Sequence, residues 1–219
     1  KDLRIEGPQP STGRILKDIS VLEKLTRLEW LTLDYINVVD LKDFKKLTSL
    51  EYLVMRKFST QSLAGIEKLT KLEELIISGF NGLKNIDGLG ELRSLTSLEI
   101  SDCPKIEFLI AIQKLNSLEI IKLSGDLPVK DLSFLSTLNN LKFLSLSYTH
   151  ITDISHLENC KKLESLSITQ YGAKYDGIEV LLELPNLKRV MLNKQGLKDT
   201  RQVVKTLRRE RPEVKVMID

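Results

Sequence analysis

The chain has 219 residues, 42% of them hydrophobic, and its 33 Lys and Arg against 30 Asp and Glu leave a formal charge of +3. That content supports a folded core rather than disorder, while so small a net charge does not by itself imply a nucleic-acid or acidic-membrane partner, and any electrostatic selectivity must be local. No apolar run approaches the roughly 20 residues that a bilayer-spanning helix needs, and residues 1–10 have no signal-peptide core.

In chain order, Leu3, Arg4 and Ile5 read as a strand that starts almost at the first residue, with Pro8 to Gly13 as the turn after it. No initiator Met precedes this strand, so upstream sequence is expected to have been removed. From residue 28 onward one pattern recurs. Leu28-Glu-Trp-Leu-Thr-Leu33, Leu50-Glu-Tyr-Leu-Val-Met55, Leu72-Glu-Glu-Leu-Ile-Ile77 and Leu95-Thr-Ser-Leu-Glu-Ile100 share their apolar and variable places, as do Leu118 to Leu123, Leu141 to Leu146, Leu163 to Ile168 and Leu187 to Leu192. Successive starts lie 22 to 24 residues apart, a period that means a solenoid. Three residues before each start stands another apolar residue, and Cys160 occupies that buried place in its repeat.

Alternation at period two sends the leucines of each motif inward and the residues between them to the opposite face of a parallel sheet. Return segments such as Asp40 to Lys46 and Asp131 to Thr137 carry an apolar residue at every third place, which suits short helical or 3-10 turns. At the C-terminus, Asp199 with Gln202 reads as an N-cap and its partner, Val203, Val204 and Leu207 give the following helix an inward face, Pro212 ends it, and Val214 to Ile218 can add an edge strand. The expected organisation is a single domain: residues 1–15 as N-terminal strand and cap, 16–197 as about eight repeats, and 198–219 as capping helix and edge strand.

This pattern resembles the leucine-rich-repeat family, in the short-repeat class seen in bacterial internalins and a phosphatase-regulator subfamily. Leu138 to Ile154 carries the clearest match, with Leu141, Leu144, Leu146, Ile151 and Ile154 at the family's spacing. The resemblance implies an α/β solenoid: a horseshoe or arc with a concave parallel sheet and a capping helix, used as a protein-protein interaction module. The family usually has Asn or Cys three residues after the second strand leucine. Here that column reads Ile36, Phe58, Phe80, Cys103, Asp126, Thr149, Tyr171 and Gln195, so a regular asparagine ladder is not expected, and Phe58 and Phe80 are expected to stack.

Chemistry is sparse. Cys103 and Cys160 fall three repeats apart, roughly 14 Å at about 4.8 Å per strand, whereas a disulfide needs Cα atoms within about 7 Å. Free structural thiols and the lack of an Asn-x-Ser/Thr sequon slightly favour a cytoplasmic setting, with a surface or secreted one open if a leader was removed. His150 and His156, the only histidines, read as surface residues without a metal-ligand or triad context, so neither an enzyme nor a cofactor is expected. The glycines at 79, 82, 88 and 90 read as turns, and Lys205, Arg208, Arg209 and Arg211 as cations favourable to a helix end.

The register sends the third and fifth residues of each motif to the concave face. There Trp30, Tyr52, Val54 and Ile76 fall on three adjacent strands, with Tyr35 and Arg56 at the margin, and a smaller cluster pairs Ile120 with Phe143 near Tyr148. Aromatic residues plus Arg are the composition of a binding hot spot. These nine residues are the candidate site for another protein, bound by a monomer without nucleic acid. The alternatives are a glycan or other non-protein ligand, a role as the targeting arm of a larger protein whose upstream domain is missing, and cover of the N-terminal patch by that missing upstream segment. Glu99 and Lys122 are expected to neutralise each other between the clusters.

Overall fold

The computed structural model describes residues 1–7, 18–169, 175–193 and 197–218. Strands β1 (Asp2–Glu6), β2 (Trp30–Asp34), β3 (Tyr52–Arg56), β4 (Glu74–Ser78), β5 (Ser97–Ser101), β6 (Ile120–Ser124), β7 (Phe143–Ser147), β8 (Ser165–Thr169), β9 (Arg189–Leu192) and β10 (Lys215–Ile218) form one sheet in which spatial order equals chain order. Every neighbouring pair is parallel, so each connection must carry the chain back before the next strand. The Pro8 to Gly13 turn, Tyr171 and Gln195 lie outside the described residues.

The return is made by 3-10 turns such as Ser20–Lys24, Lys42–Lys46, Asp87–Glu91 and Ser155–Asn159. The apolar residue at every third place explains them. In the second of these, the amide of Leu47 donates to the Phe44 carbonyl and that of Phe44 to Leu41, while Leu41, Phe44, Leu47 and Leu50 are all fully buried. A 3-10 turn eclipses positions three apart, so all four side chains enter one core.

Six of the returns also have a polar side chain that closes a local turn. The carboxylate of Asp18 accepts from the Ser20 amide at 2.8 Å, and Asp40, Ser62, Asn85, Asp131 and Asp153 do the same for the amides of Lys42, Ala64, Asp87, Ser133 and Ser155. These bonds stabilise the ionised carboxyl. The hydroxyl and amide of Ser133 hold Asp131 below the usual carboxylate range, and the amide and hydroxyl of Ser155 do so for Asp153. A carboxyl depressed in the folded chain leaves the unfolded chain binding more protons, so its contribution is complete above the unfolded value, about 3.9, and is lost as pH falls through the folded one. The urea midpoint should therefore drop between pH 6 and pH 3, and Asp131→Asn with Asp153→Asn, which keeps the acceptor but not the charge, should flatten that drop.

In the column after each strand, Phe58 and Phe80 are buried and stacked, with centroids 5.1 Å apart and planes within 3°. Asp126 departs from the expected column: it is exposed, and Leu127 fills the core in its place. Cys103 and Cys160 are both buried free thiols. Burial pushes Cys103 up to about 11 and Cys160 up to about 12, leaving almost no thiolate at neutral pH. Iodoacetamide at pH 8 should label neither in the folded chain and both in urea, by intact mass.

The C-terminal helix α1 spans Leu197–Glu210 and presses Val203, Val204 and Leu207 inward before β10 closes the sheet. Asp199 is the helix's third residue, not its cap, because the chain enters the helix three residues earlier than expected. Arg211, expected to be a surface cation, is only 17% exposed and donates to the carbonyls of Leu184, Pro185 and Leu187. Among the described residues no helix is long and apolar enough to cross a membrane.

Candidate functional site

Strand register decides which side chains share the outer face of the sheet. One row runs Trp30, Tyr52, Glu74, Ser97, Ile120, Phe143, Ser165 and Arg189, and the next runs Thr32, Val54, Ile76, Glu99, Lys122, Ser145, Ser167 and Met191. The inward residues beside them, such as Leu31, Leu53 and Leu75, are buried.

At the N-terminal end Trp30 and Tyr52 are stacked, their centroids 3.7 Å apart at an interplanar angle of 21°. Trp30 is nonetheless 47% exposed, and Val54 and Ile76 continue the apolar surface half-buried on β3 and β4. Toward the ends of these strands lies a charge cluster. Asp34 is nearly buried and accepts from Arg56 at 3.2 Å and from Arg4 at 3.3 Å. A carboxylate so far out of water needs such partners, and it holds the Arg56 guanidinium at the far end of β3 from the aromatic pair while leaving that side chain 44% exposed.

Farther along, Ile120 and Phe143 are lateral neighbours, separated from the first cluster by Ser97 and Glu99 on β5. Glu99 and Lys122 pair at 3.6 Å, which neutralises the middle of the face. Beyond them the floor turns to small hydroxyls. Ser101 donates to Ser78 at 2.8 Å and Thr169 to Ser147 at 2.9 Å, and Ser145, Ser165 and Ser167 occupy the two rows above.

Tyr35 and Tyr148, at the margin, share a constraint that the residue pattern did not reveal. The residue after each strand from β2 to β7 is left-handed: Tyr35, Lys57, Asp102 and Tyr148 have φ between 51° and 58°, and Gly79 and Gly125 have 69° and 74°. In that conformation its amide reaches one repeat further, Tyr35 donating to the Arg56 carbonyl at 2.9 Å and Tyr148 to that of Thr169 at 2.7 Å. A bulky residue there costs on the order of 1 kcal/mol or more relative to Gly. The chain carries two tyrosines where glycine would serve the backbone better.

Among the described residues the histidines join no catalytic or metal-binding cluster. His150 is exposed and pairs with Asp126 at 3.3 Å. His156, expected at the surface, is half-buried, with its Nδ1 buried and without a hydrogen-bond partner among the described residues. Among the described residues no three His, Cys, Asp or Glu converge as a metal site.

Residues 139–172 match the family described as leucine rich repeats in two copies. The structure is similar to an internalin C2 from Listeria monocytogenes, with a TM-score of 0.66 and 24% identity over 84% of this chain and 77% of that one. The chain has the fold of a leucine-rich-repeat solenoid. It also aligns with an internalin F from the same organism, at a TM-score of 0.35 and 19% identity over 100% of this chain and 86% of the other. No curated protein matches it. Within the solenoid, register brings together Trp30, Tyr52, Val54 and Ile76, and separately Ile120 and Phe143, while Tyr35 and Tyr148 stand apart at the margin. Asp34 is the residue that the sequence reading missed, although its place beside Arg56 in the row was a signal for it.

Proposed function

We propose that this solenoid is a non-enzymatic protein-binding module, acting as a monomer, whose partner seats on the N-terminal half of the concave face and extends toward Ile120 and Phe143. The observation that carries this reading is the exposed Trp30–Tyr52 stack continued by Val54 and Ile76. Solubility favours polar side chains there, and an apolar aromatic surface rimmed by a positioned Arg has the make-up of an interface centre. The parallel ladder makes the surface rigid before contact, so little ordering entropy opposes binding.

Capture from a lysate with the chain and with a Trp30→Ala/Tyr52→Ala/Ile76→Ala variant, its fold checked by circular dichroism, tests this. A protein recovered only by the parent should bind the variant at least about a hundredfold more weakly, as loss of two hot-spot side chains implies. Equal affinity of both would remove the site from this face. The alternative of a glycan ligand is less favoured, because the two rings already cover one of each other's faces, and a glycan array with a Trp30→Ala control separates it.

A further inference from the structure

The turn-closing residues of the returns occupy one place per repeat: Asp18, Asp40, Ser62, Asn85, then Phe108, then Asp131 and Asp153, and last Gly177, which turns with a φ of 70°. Phe108 is thus the one side chain in this column that has neither a polar cap nor glycine's freedom. It is 72% exposed, and Ile110, two residues on where the neighbouring returns have Asp87 and Ser133, is 54% exposed. The repeat gives up a cap of about 1 kcal/mol and holds an aromatic in water, with no packing in return. A local rule broken without a structural gain marks a functional place.

The surroundings say what would bind. Phe108 borders a shallow groove walled by Pro104 and Pro128 and flanked by Lys84 and Lys105, and Pro128 continues it to a second groove at Lys130. Lys84, Lys105 and Lys130 are exposed, and none forms an ion pair among the described residues, while Glu107 is the one carboxylate lining the two grooves. The surface is an apolar centre between unsatisfied cations. We propose that this return-side groove is a second docking site, distinct from the concave face, for an extended peptide segment of another protein with a large apolar side chain flanked by carboxylates.

Charge selects that occupant. A second copy of the chain meeting this surface about a two-fold axis would set the three lysines against their own counterparts, a repulsive contact. A lipid surface would gain only two apolar side chains and a small excess of positive charge, short of the combined signals that stable membrane attachment takes. A peptide carboxylate on either side of an apolar anchor would meet Lys84 and Lys105 or Lys130 while its anchor covers Phe108.

Phe108→Asp provides a variant that separates binding from folding, since it restores the cap present in Asp131 and Asp153 and should melt at or above the parent temperature. A phage-displayed dodecapeptide library selected on the full chain should enrich sequences with Leu, Phe or Trp between Asp or Glu. Synthesised and measured by fluorescence polarisation, these should bind Phe108→Asp and Lys105→Glu at least about tenfold more weakly, the loss expected of a contact worth 1.4 kcal/mol, and Trp30→Ala/Tyr52→Ala unchanged. The proposal is overturned by enriched peptides that lack carboxylates, by equal affinity for Phe108→Asp, or by affinity lost only with the concave variant. It is equally overturned if Phe108 instead supports concentration-dependent dimers in sedimentation or binding to phosphatidylserine vesicles.

Discussion

Phe80→Ala is expected to lower stability by about 3–5 kcal/mol, the largest effect of any single truncation considered for this chain. The ring is fully buried and stacked on Phe58, with the buried Cys103 at the equivalent place of the following repeat. A solenoid repeat contacts only its neighbours, so the cavity cannot be closed by distant rearrangement, and both flanking interfaces lose contact. The urea midpoint should fall. A double-mutant cycle with Phe58→Ala should show a coupling of about 0.5–1.5 kcal/mol beyond lost area, the signature of an aromatic pair. Full additivity of the two substitutions would mean that the stacked geometry contributes nothing of its own.

Arg211→Met should cost about 2–3 kcal/mol although it keeps most of the side chain's length. The guanidinium bonds the carbonyls of Leu184, which also accepts from the Leu187 amide, and of Pro185 and Leu187, and it pairs with Glu213 at 3.0 Å. Met can fill the space but donates nothing, and Lys, with one compact ammonium, cannot span three acceptors, so Arg211→Lys should recover only part of the loss. Amide exchange should quicken first in β9 and β10, since these strands depend on the cap, while β4 to β6 remain protected. Uniform acceleration over the whole sheet would instead show that the solenoid unfolds as one unit.

Much of the architecture is legible because burial at period two and return at every third place act on side chains that the sequence names directly. That logic places all of the leucine rows, foresees the Phe58–Phe80 stack and the Glu99–Lys122 pair, and identifies the inward face of α1. What it misses has a common cause. Arg211 binds backbone carbonyls, which no residue letter records, and the left-handed column is betrayed only by Gly79 and Gly125. Leu127 displaces Asp126 because a one-residue shift in a return leaves the strand motif unchanged. Phe108 escapes notice because its meaning lies in comparison with Asp40, Asp131 and Asp153, which individually look like ordinary polar loop residues. For the concave face, register specifies which side chains are neighbours, but recognition depends on a partner's shape and charge that no part of this chain encodes.

Spatial order that equals chain order also has an evolutionary consequence. Because every strand bonds only to the strands before and after it in sequence, duplication or loss of one 22–24-residue segment would lengthen or shorten the arc without rethreading any connection. Unequal recombination within the coding sequence could therefore change the reach of the concave surface in single-repeat increments. The helix-capped side is exempt from that exchange: α1 and Arg211 fit the repeat they cover alone, so they would travel as a fixed unit while the repeats before them multiplied.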